Sequence, residues 1–230
     1  MKILAVGAHP DDVEFGCAPV LIQEVQNGNQ VRILVLSKGE AGTSGTPEER
    51  AEEAGAAAAV IGAEIEFLDL GGDCHLRHSP ENSMAIAREL RKFRPQIVLA
   101  PNLDENQHPD HSAVGRMVRD ASRFARYAGL MDLKGLDAHQ ITSLYFYSIT
   151  QVFTPPPDIV IDVSAVEAQW DAAMNCHKSQ LKTKAYPELA HARARAFGAA
   201  IGVTSATGLW ASDPVRVAKL SDLTLSSRCY

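Results

Sequence analysis

The sequence has no CxxC pair, no apolar stretch long enough to span a membrane, no excess of positive charge and no internal repeat. Each absence removes a class of protein. The four cysteines, Cys17, Cys74, Cys176 and Cys229, are scattered along 230 residues, which indicates reduced thiols and not a disulfide framework. No run reaches spanning length, and the first strand starts directly after Met1-Lys2. No targeting segment is therefore expected, and the cytoplasm is the expected compartment. With 22 Lys and Arg against 28 Asp and Glu, the formal net charge is −6. Nucleic acid and anionic membrane both need a positive surface, so neither is an expected partner. A G-x-G-x-x-G fingerprint is also missing after the first apolar run. "GAHPDDVEFG" puts proline and carboxylates where a pyrophosphate needs bare backbone amides, which argues against a nucleotide-binding module.

What is present reads as one soluble globular domain, 1–230, with 46% hydrophobic and 22% charged residues. Short apolar runs at 2–8, 30–37, 64–70 and 96–101 read as strands. Helices are expected at 14–27, at 47–61 with proline in the first turn, at 80–93 and at 111–127. This alternation predicts an α/β, Rossmann-like, mostly parallel sheet with helices on both faces. A less regular C-terminal strand and helix extension follows. Strands are expected at 143–149 and 158–163 on either side of Pro155-Pro156-Pro157, and helices over 165–178 and 187–201. Trp170 and Trp210 read as core or interface residues, and His177 and His191 as packing or surface residues on helices.

In a sheet of order 3-2-1-4-5, strands 1 and 4 are neighbours and their helices leave on opposite faces. A crevice opens at their carboxyl ends, and ligands bind there. The loop after strand 1 is "AHPDD" and the loop after strand 4 is "PNLDENQHPDH". His9, Asp11 and Asp12 thus face His108, Asp110 and His111. Adjacent carboxylates become tolerable if a divalent metal neutralises one and leaves the other for acid/base work. Two histidines and a carboxylate with an open position make a catalytic zinc site, and ferrous iron accepts the same set. Taken alone, "HPDD" also suits a helix start with aspartate caps, and "HPDH" a solvated loop. A non-catalytic metal-binding protein would carry the same ligands, with Asp11 dispensable.

"AHPDDVEFG" followed by "HPDH" resembles the signature pair of the LmbE-like, or PIG-L, family of zinc-dependent de-N-acetylases. "GEAGTSGTPEER", "DIVIDVS" and "HKSQ" are similar to further family features. The resemblance implies His9, Asp12 and His111 as metal ligands and Asp11 as general base. It implies His108 as a cationic stabiliser of the reacting carbonyl, with Asp110 orienting an imidazole and raising its pKa. Arg50 resembles an arginine that binds sugar hydroxyls, Asp73 lies in a loop used near the sugar, and Tyr186 corresponds to a tyrosine that closes the pocket. For Arg50 the alternative is a solvated helix residue, and for Asp73 an ordinary turn aspartate. Cys74, His75 and His78 in "CHLRH" offer ligand atoms without a fourth at a sensible spacing, so no second zinc is assigned to them. The implied activity is hydrolysis of the N-acetyl amide of an N-acetylglucosamine-type conjugate. The short chain looks more like the bacillithiol-pathway branch, acting on N-acetylglucosaminyl malate, than the lipid-acting branch. Chitooligosaccharide deacetylases and thiol-conjugate amidases are the family alternatives. Family members are often trimers or hexamers, so a homo-oligomer is expected.

Overall fold

The computed structural model describes residues 1–104, 108–150, 154–182, 184–222 and 226. The first half follows the strand–helix alternation of the sequence. Strand β1 is Lys2–Gly7, followed by a one-turn helix α1 (Asp12–Gly16) and α2 (Ala18–Gln26). Next come β2 (Gln30–Val35), α3 (Pro47–Ile61), β3 (Glu64–Phe67), α4 (Pro80–Phe93), β4 (Ile97–Pro101) and α5 (Pro109–Ala125). The remainder holds β5 (Ser143–Tyr147), β6 (Ile159–Asp162), α6 (Glu167–Met174), α7 (Lys178–Leu181), α8 (Tyr186–Ile201) and β7 (Ala206–Ala211).

Among the described residues the sheet runs β3-β2-β1-β4-β5-β7-β6. The first five strands are parallel, with Ile3 opposite both Val31 and Ile97. β7 then runs antiparallel to β5, and β6 antiparallel to β7. Period-two alternation along β1 sorts its side chains onto two cores. Ile3 and Ala5 pack with residues of α2, α3, α6 and α8. Leu4 and Val6 pack with residues of α4 and α5. The chain thus has helices on both faces, as expected, and β1 and β4 are adjacent at the point where the strand order reverses.

Capping sets the helix starts. Thr46 Oγ1 accepts from Glu49 N–H at 3.1 Å with Pro47 at the first position of α3. Ser79 does the same for Asn82 at 3.2 Å with Pro80 heading α4. Three sequence expectations change. The helix expected over 14–27 is two helices broken at Cys17. Pro19 in the first turn of α2 has no N–H for the Phe15 carbonyl and starts a new helix, and at Gly16 a Cβ would lie 2.3 Å from Tyr147 Cδ2. Only glycine admits this close approach, and Tyr147 in turn hydrogen-bonds Val6 O at 2.8 Å. The helix expected over 165–178 stops at Met174, which leaves His177 before α7 and not on a helix. Strand β7 was not expected. Its Gly208 and two alanines in "ATGLWA" carry little strand signal, and its place is set by pairing with β5 and β6.

Candidate active site

The carboxyl ends of β1 and β4 carry the two polar motifs, and the structure brings them together. His9, Asp12 and His111 offer donor atoms that all lie within 4.8 Å of one another, and all three residues are buried. Asp12 is fixed by its own loop: Oδ2 accepts from Ala8 N–H at 2.8 Å and His9 N–H at 2.9 Å. That leaves Oδ1 facing His111 Nε2 at 3.0 Å. The His9 ring lies between carboxylates. Its Nε2 is 3.0 Å from Asp73 Oδ1 and 3.2 Å from Asp110 Oδ2, while Nδ1 is 3.6 Å from Asp12 Oδ2. A proton held on Nε2 by Asp73 and Asp110 leaves the Nδ1 lone pair toward Asp12, the arrangement by which carboxylates orient ligating imidazoles.

The charge balance tests whether a cation suits this donor set. Asp11, Asp12, Asp73 and Asp110 converge on the site, against Arg50 as the permanent cation among the described lining residues. Burial pushes His9 down, but hydrogen bonds to Asp110 and Asp12 and the Asp12 charge outweigh it and hold the imidazole well above its ordinary value. Burial would also push Asp12 up, yet the charge and hydrogen bond of His111 hold it well below the usual carboxylate range. Without a cation, then, the carboxylates are balanced by a proton on His9. A dication does the same work and displaces that proton, so the residues fit a divalent metal.

Asp11 has φ 105, left-handed for a non-glycine residue, and its side chain does not cap α1. It is one of three such residues among those described, with Cys74 and Arg94. A strained backbone that turns a carboxylate into a pocket points to function. Burial and then the Asp12 charge push the Asp11 carboxyl up to about 6, against the pull of Arg50, His177 and His9.

Arg50 is buried, its Nε has no partner among the described residues, and its two terminal nitrogens bond the chain. Nη1 bonds Gly39 O at 2.9 Å, and Nη2 bonds Pro10 O at 3.0 Å and approaches Asp11 Oδ2 at 3.3 Å. Gly39, at φ 70, makes room for the guanidinium: a Cβ there would sit 1.8 Å from Nη1. Arg50 is thus not a solvated helix residue: it lines the pocket and braces the Asp11 loop. Asp73, expected near the sugar, points at His9. The imidazole that Asp110 holds is likewise His9, with His108 Nδ1 farther away at 3.9 Å.

His108 caps α5, with Nδ1 accepting from Asp110 N–H at 3.3 Å. Burial and the neighbouring His9 charge push its imidazole down from the ordinary value. Nδ1 as acceptor leaves the ring proton on Nε2, toward the pocket. The helix-start reading and the site reading of "HPDH" therefore both apply.

The pocket over this group has a volume of about 380 Å³, and Phe15, Thr43, Ile149, Gln180 and Tyr186 contribute to its walls. Tyr186 stacks on Phe15 at 5.2 Å between ring centroids. Of the "CHLRH" set, His75 Nδ1 lies 2.9 Å from Asp73 O and His78 Nε2 lies 2.7 Å from Asp120 Oδ2; Cys74 alone lines the pocket. His177, expected as a packing or surface residue, is a packing residue close to the site. It is buried 3.5 Å from Glu14 Oε1, and the charge of Asp11 reaches it. Only its place in "HKSQ" hinted at this. His191 packs edge-on against the core Trp170, which donates to Glu14 O at 2.7 Å. Trp210 is half-buried, with Nε1 3.2 Å from Pro155 O and Pro156 O.

Residues 4–122 match the family described as PIG-L, GlcNAc-PI de-N-acetylase. The diacetylchitobiose deacetylase of Thermococcus kodakarensis is 32% identical over 192 residues, 78% of this chain and 70% of that protein. A conserved protein of Thermus thermophilus has the same fold, with a TM-score of 0.86 and 32% identity over 94% of this chain and 96% of that one. GalB of Pseudomonas putida, a 4-carboxy-2-hydroxymuconate hydratase, shares the fold with a TM-score of 0.83 and 24% identity, over 95% and 99% of the two chains.

Proposed function

The chain belongs to the PIG-L family of de-N-acetylases, and from that membership we propose that it hydrolyses the N-acetyl amide of an amino-sugar conjugate, releasing acetate and the free amine. The observation that carries this is the convergence of His9, Asp12 and His111 around a space flanked by the carboxylate of Asp11. His9, Asp12 and His111 would hold the metal, with zinc the proposed ion. A divalent cation there supplies Lewis acidity: it polarises the amide carbonyl and makes water acidic enough to attack near neutral pH. Asp11 takes the proton of the attacking water and later returns it to the departing amine nitrogen. Arg50 holds the Asp11 loop in place. His108, neutral and with its proton on Nε2, donates to the developing oxyanion. This needs no imidazolium, in keeping with its lowered pKa. Tyr186 and Phe15 wall the side of the pocket where the sugar would lie.

The described lining favours a neutral sugar over the malate conjugate. Its one permanent cation, Arg50, has both terminal nitrogens bonded to the chain, and Asp11, Asp12 and Asp73 line the same pocket, so an acidic aglycone would meet more negative than positive charge there. The likeness to a diacetylchitobiose deacetylase supports the same choice. We further propose a cytoplasmic homo-oligomer, on the family resemblance; a monomeric mass in light scattering would end the oligomer proposal. No helix among the described residues is long and apolar enough to cross a membrane.

The deciding experiment is acetate release from a panel of N-acetylglucosamine, diacetylchitobiose and N-acetylglucosaminyl malate, with an unsaturated dicarboxylic acid as the hydratase control. Metal-dependent acetate release supports the proposal, with diacetylchitobiose expected to be the best substrate. Hydration of the control with no acetate from any sugar would overturn it.

A further inference from the structure

Next to the His9–Asp12–His111 group lies a second set of donor atoms. Cys74 Sγ is 3.4 Å from Asp73 Oδ1 and 3.7 Å from His108 Nε2, and those two atoms are 3.5 Å apart. Zinc in tetrahedral coordination lies about 2.3 Å from sulfur and about 2.0–2.2 Å from nitrogen or oxygen, which spaces its ligand atoms about 3.3–3.6 Å apart. The three atoms therefore already form one face of such a tetrahedron, to within a few tenths of an ångström. The backbone holds the thiol there. Cys74 is left-handed, at φ 66, and its N–H is bonded to Asp110 Oδ2 at 2.8 Å. Thiolate, imidazole and carboxylate together select zinc or cadmium over magnesium or calcium. The sequence spacing of "CHLRH" suggested His75 and His78 as partners for Cys74. In the fold its partners are Asp73 and His108.

We propose that Cys74, Asp73 and His108 form a second, inhibitory site for a thiophilic divalent cation. Binding releases the Cys74 thiol proton to solvent and leaves one position of the tetrahedron to water. It also requires the His108 ring proton to move from Nε2 to Nδ1, where Asp110 Oδ2, now 3.9 Å away, is the nearby acceptor. The weak 3.3 Å cap on α5 is given up in exchange. Asp110 keeps its 3.2 Å hold on His9 Nε2. Inhibition follows from the change at His108: a nitrogen that ligates a cation no longer donates to an oxyanion. The binding stands on geometry alone, whereas the inhibition rests on the deacetylase reading.

The test separates the two. Equilibrium dialysis of the full chain against rising zinc, followed by metal analysis, is expected to give about two ions per chain for the parent and about one for Cys74→Ser and Cys74→Ala. In a cobalt titration, the second equivalent should bring a near-ultraviolet thiolate-to-cobalt band that both variants lack. His9, Asp12 and His111 contain no sulfur, so that band belongs to the second site alone. A parent that saturates at one ion, a second equivalent without the band, or variants that keep it would each overturn the site. Neither readout needs a substrate, so both remain valid if the chain proves not to be a deacetylase. With acetate release as the assay, zinc beyond one equivalent should lower parental turnover by roughly 10²-fold, the cost of one oxyanion donor. Each variant, measured against its own activity at one equivalent, should be unaffected. Two bound ions with undiminished turnover would remove the inhibitory role.

Discussion

Asp11 is strained in its backbone and buried beside a second carboxylate, yet the proposed chemistry needs it ionised. Its pKa near 6 fixes two signs. Folded Asp11 holds its proton more tightly than an unfolded aspartate near 3.9, so it favours the fold at low pH. That contribution is lost as pH rises from about 4 through about 6. For catalysis the direction reverses: activity should rise with pH through the Asp11 pKa. A bound dication pulls this acid limb below about 6. Asp11→Asn keeps the shape and removes the base. Metal analysis should show the ion retained, and acetate release should fall roughly 10²–10⁴-fold; near-parental turnover with one equivalent of metal bound would sink the base assignment. Arg50→Ala tests the bracing role. The acid limb should shift upward and kcat should drop with KM little changed, whereas a large rise in KM with kcat intact would return Arg50 to the sugar. The residue types in "HPDD" and "HPDH" made the convergence of six ionisable groups legible. Their partners were not legible: which atom of His9 meets Asp73, or that Arg50 turns inward past Gly39, depends on side-chain directions that spacing does not encode.

Elements with strong local punctuation could be read to the residue. Thr46-Pro47 and Ser79-Pro80 mark the starts of α3 and α4, and both helices run over the spans expected of them. Elements whose limits come from tertiary contact could not be read this way, as the break at Cys17 and the strand β7 show. Helix α1 is the instructive case. It is too short to be stable alone, yet it carries Asp12 and follows Asp11. It is held from the C-terminal third of the chain, where Arg193 of α8 donates to Phe15 O at 2.7 Å and to Ile149 O. Burial pushes that guanidinium down to about 10. Arg193→Ala would leave both carbonyls buried without this donor. We expect a loss of about 2–5 kcal/mol in urea unfolding, with metal affinity lowered in the same variant because the α1 turn loosens. Unchanged unfolding would show that α1 stands without its clamp.

At the scale of the whole molecule, metal and fold are thermodynamically linked. An ion that binds only the folded chain adds about 2.7 kcal/mol at a hundredfold excess over its Kd. For a chain of this length that is a rise in Tm of roughly 5–10 °C. Calorimetry of Cys74→Ala in chelator and in saturating zinc should show this rise, and little of it once His111→Ala is added; equal shifts in both would mean that the ion binds elsewhere. The linkage has a further side, which concerns time. His9 and Asp110 are 101 residues apart in the chain and 3.2 Å apart in the fold. They meet only when β4 has aligned with β1 across everything made in between. Long-range parallel pairing of this kind is a slow event, and during synthesis the N-terminal half emerges first. A nascent chain ending before β4 carries His9 and Asp12 but not His111, too few ligands to retain an ion. On the proposed ligand set, metal uptake would be a late step, and an occupied centre would mark a chain whose sheet has closed its central seam.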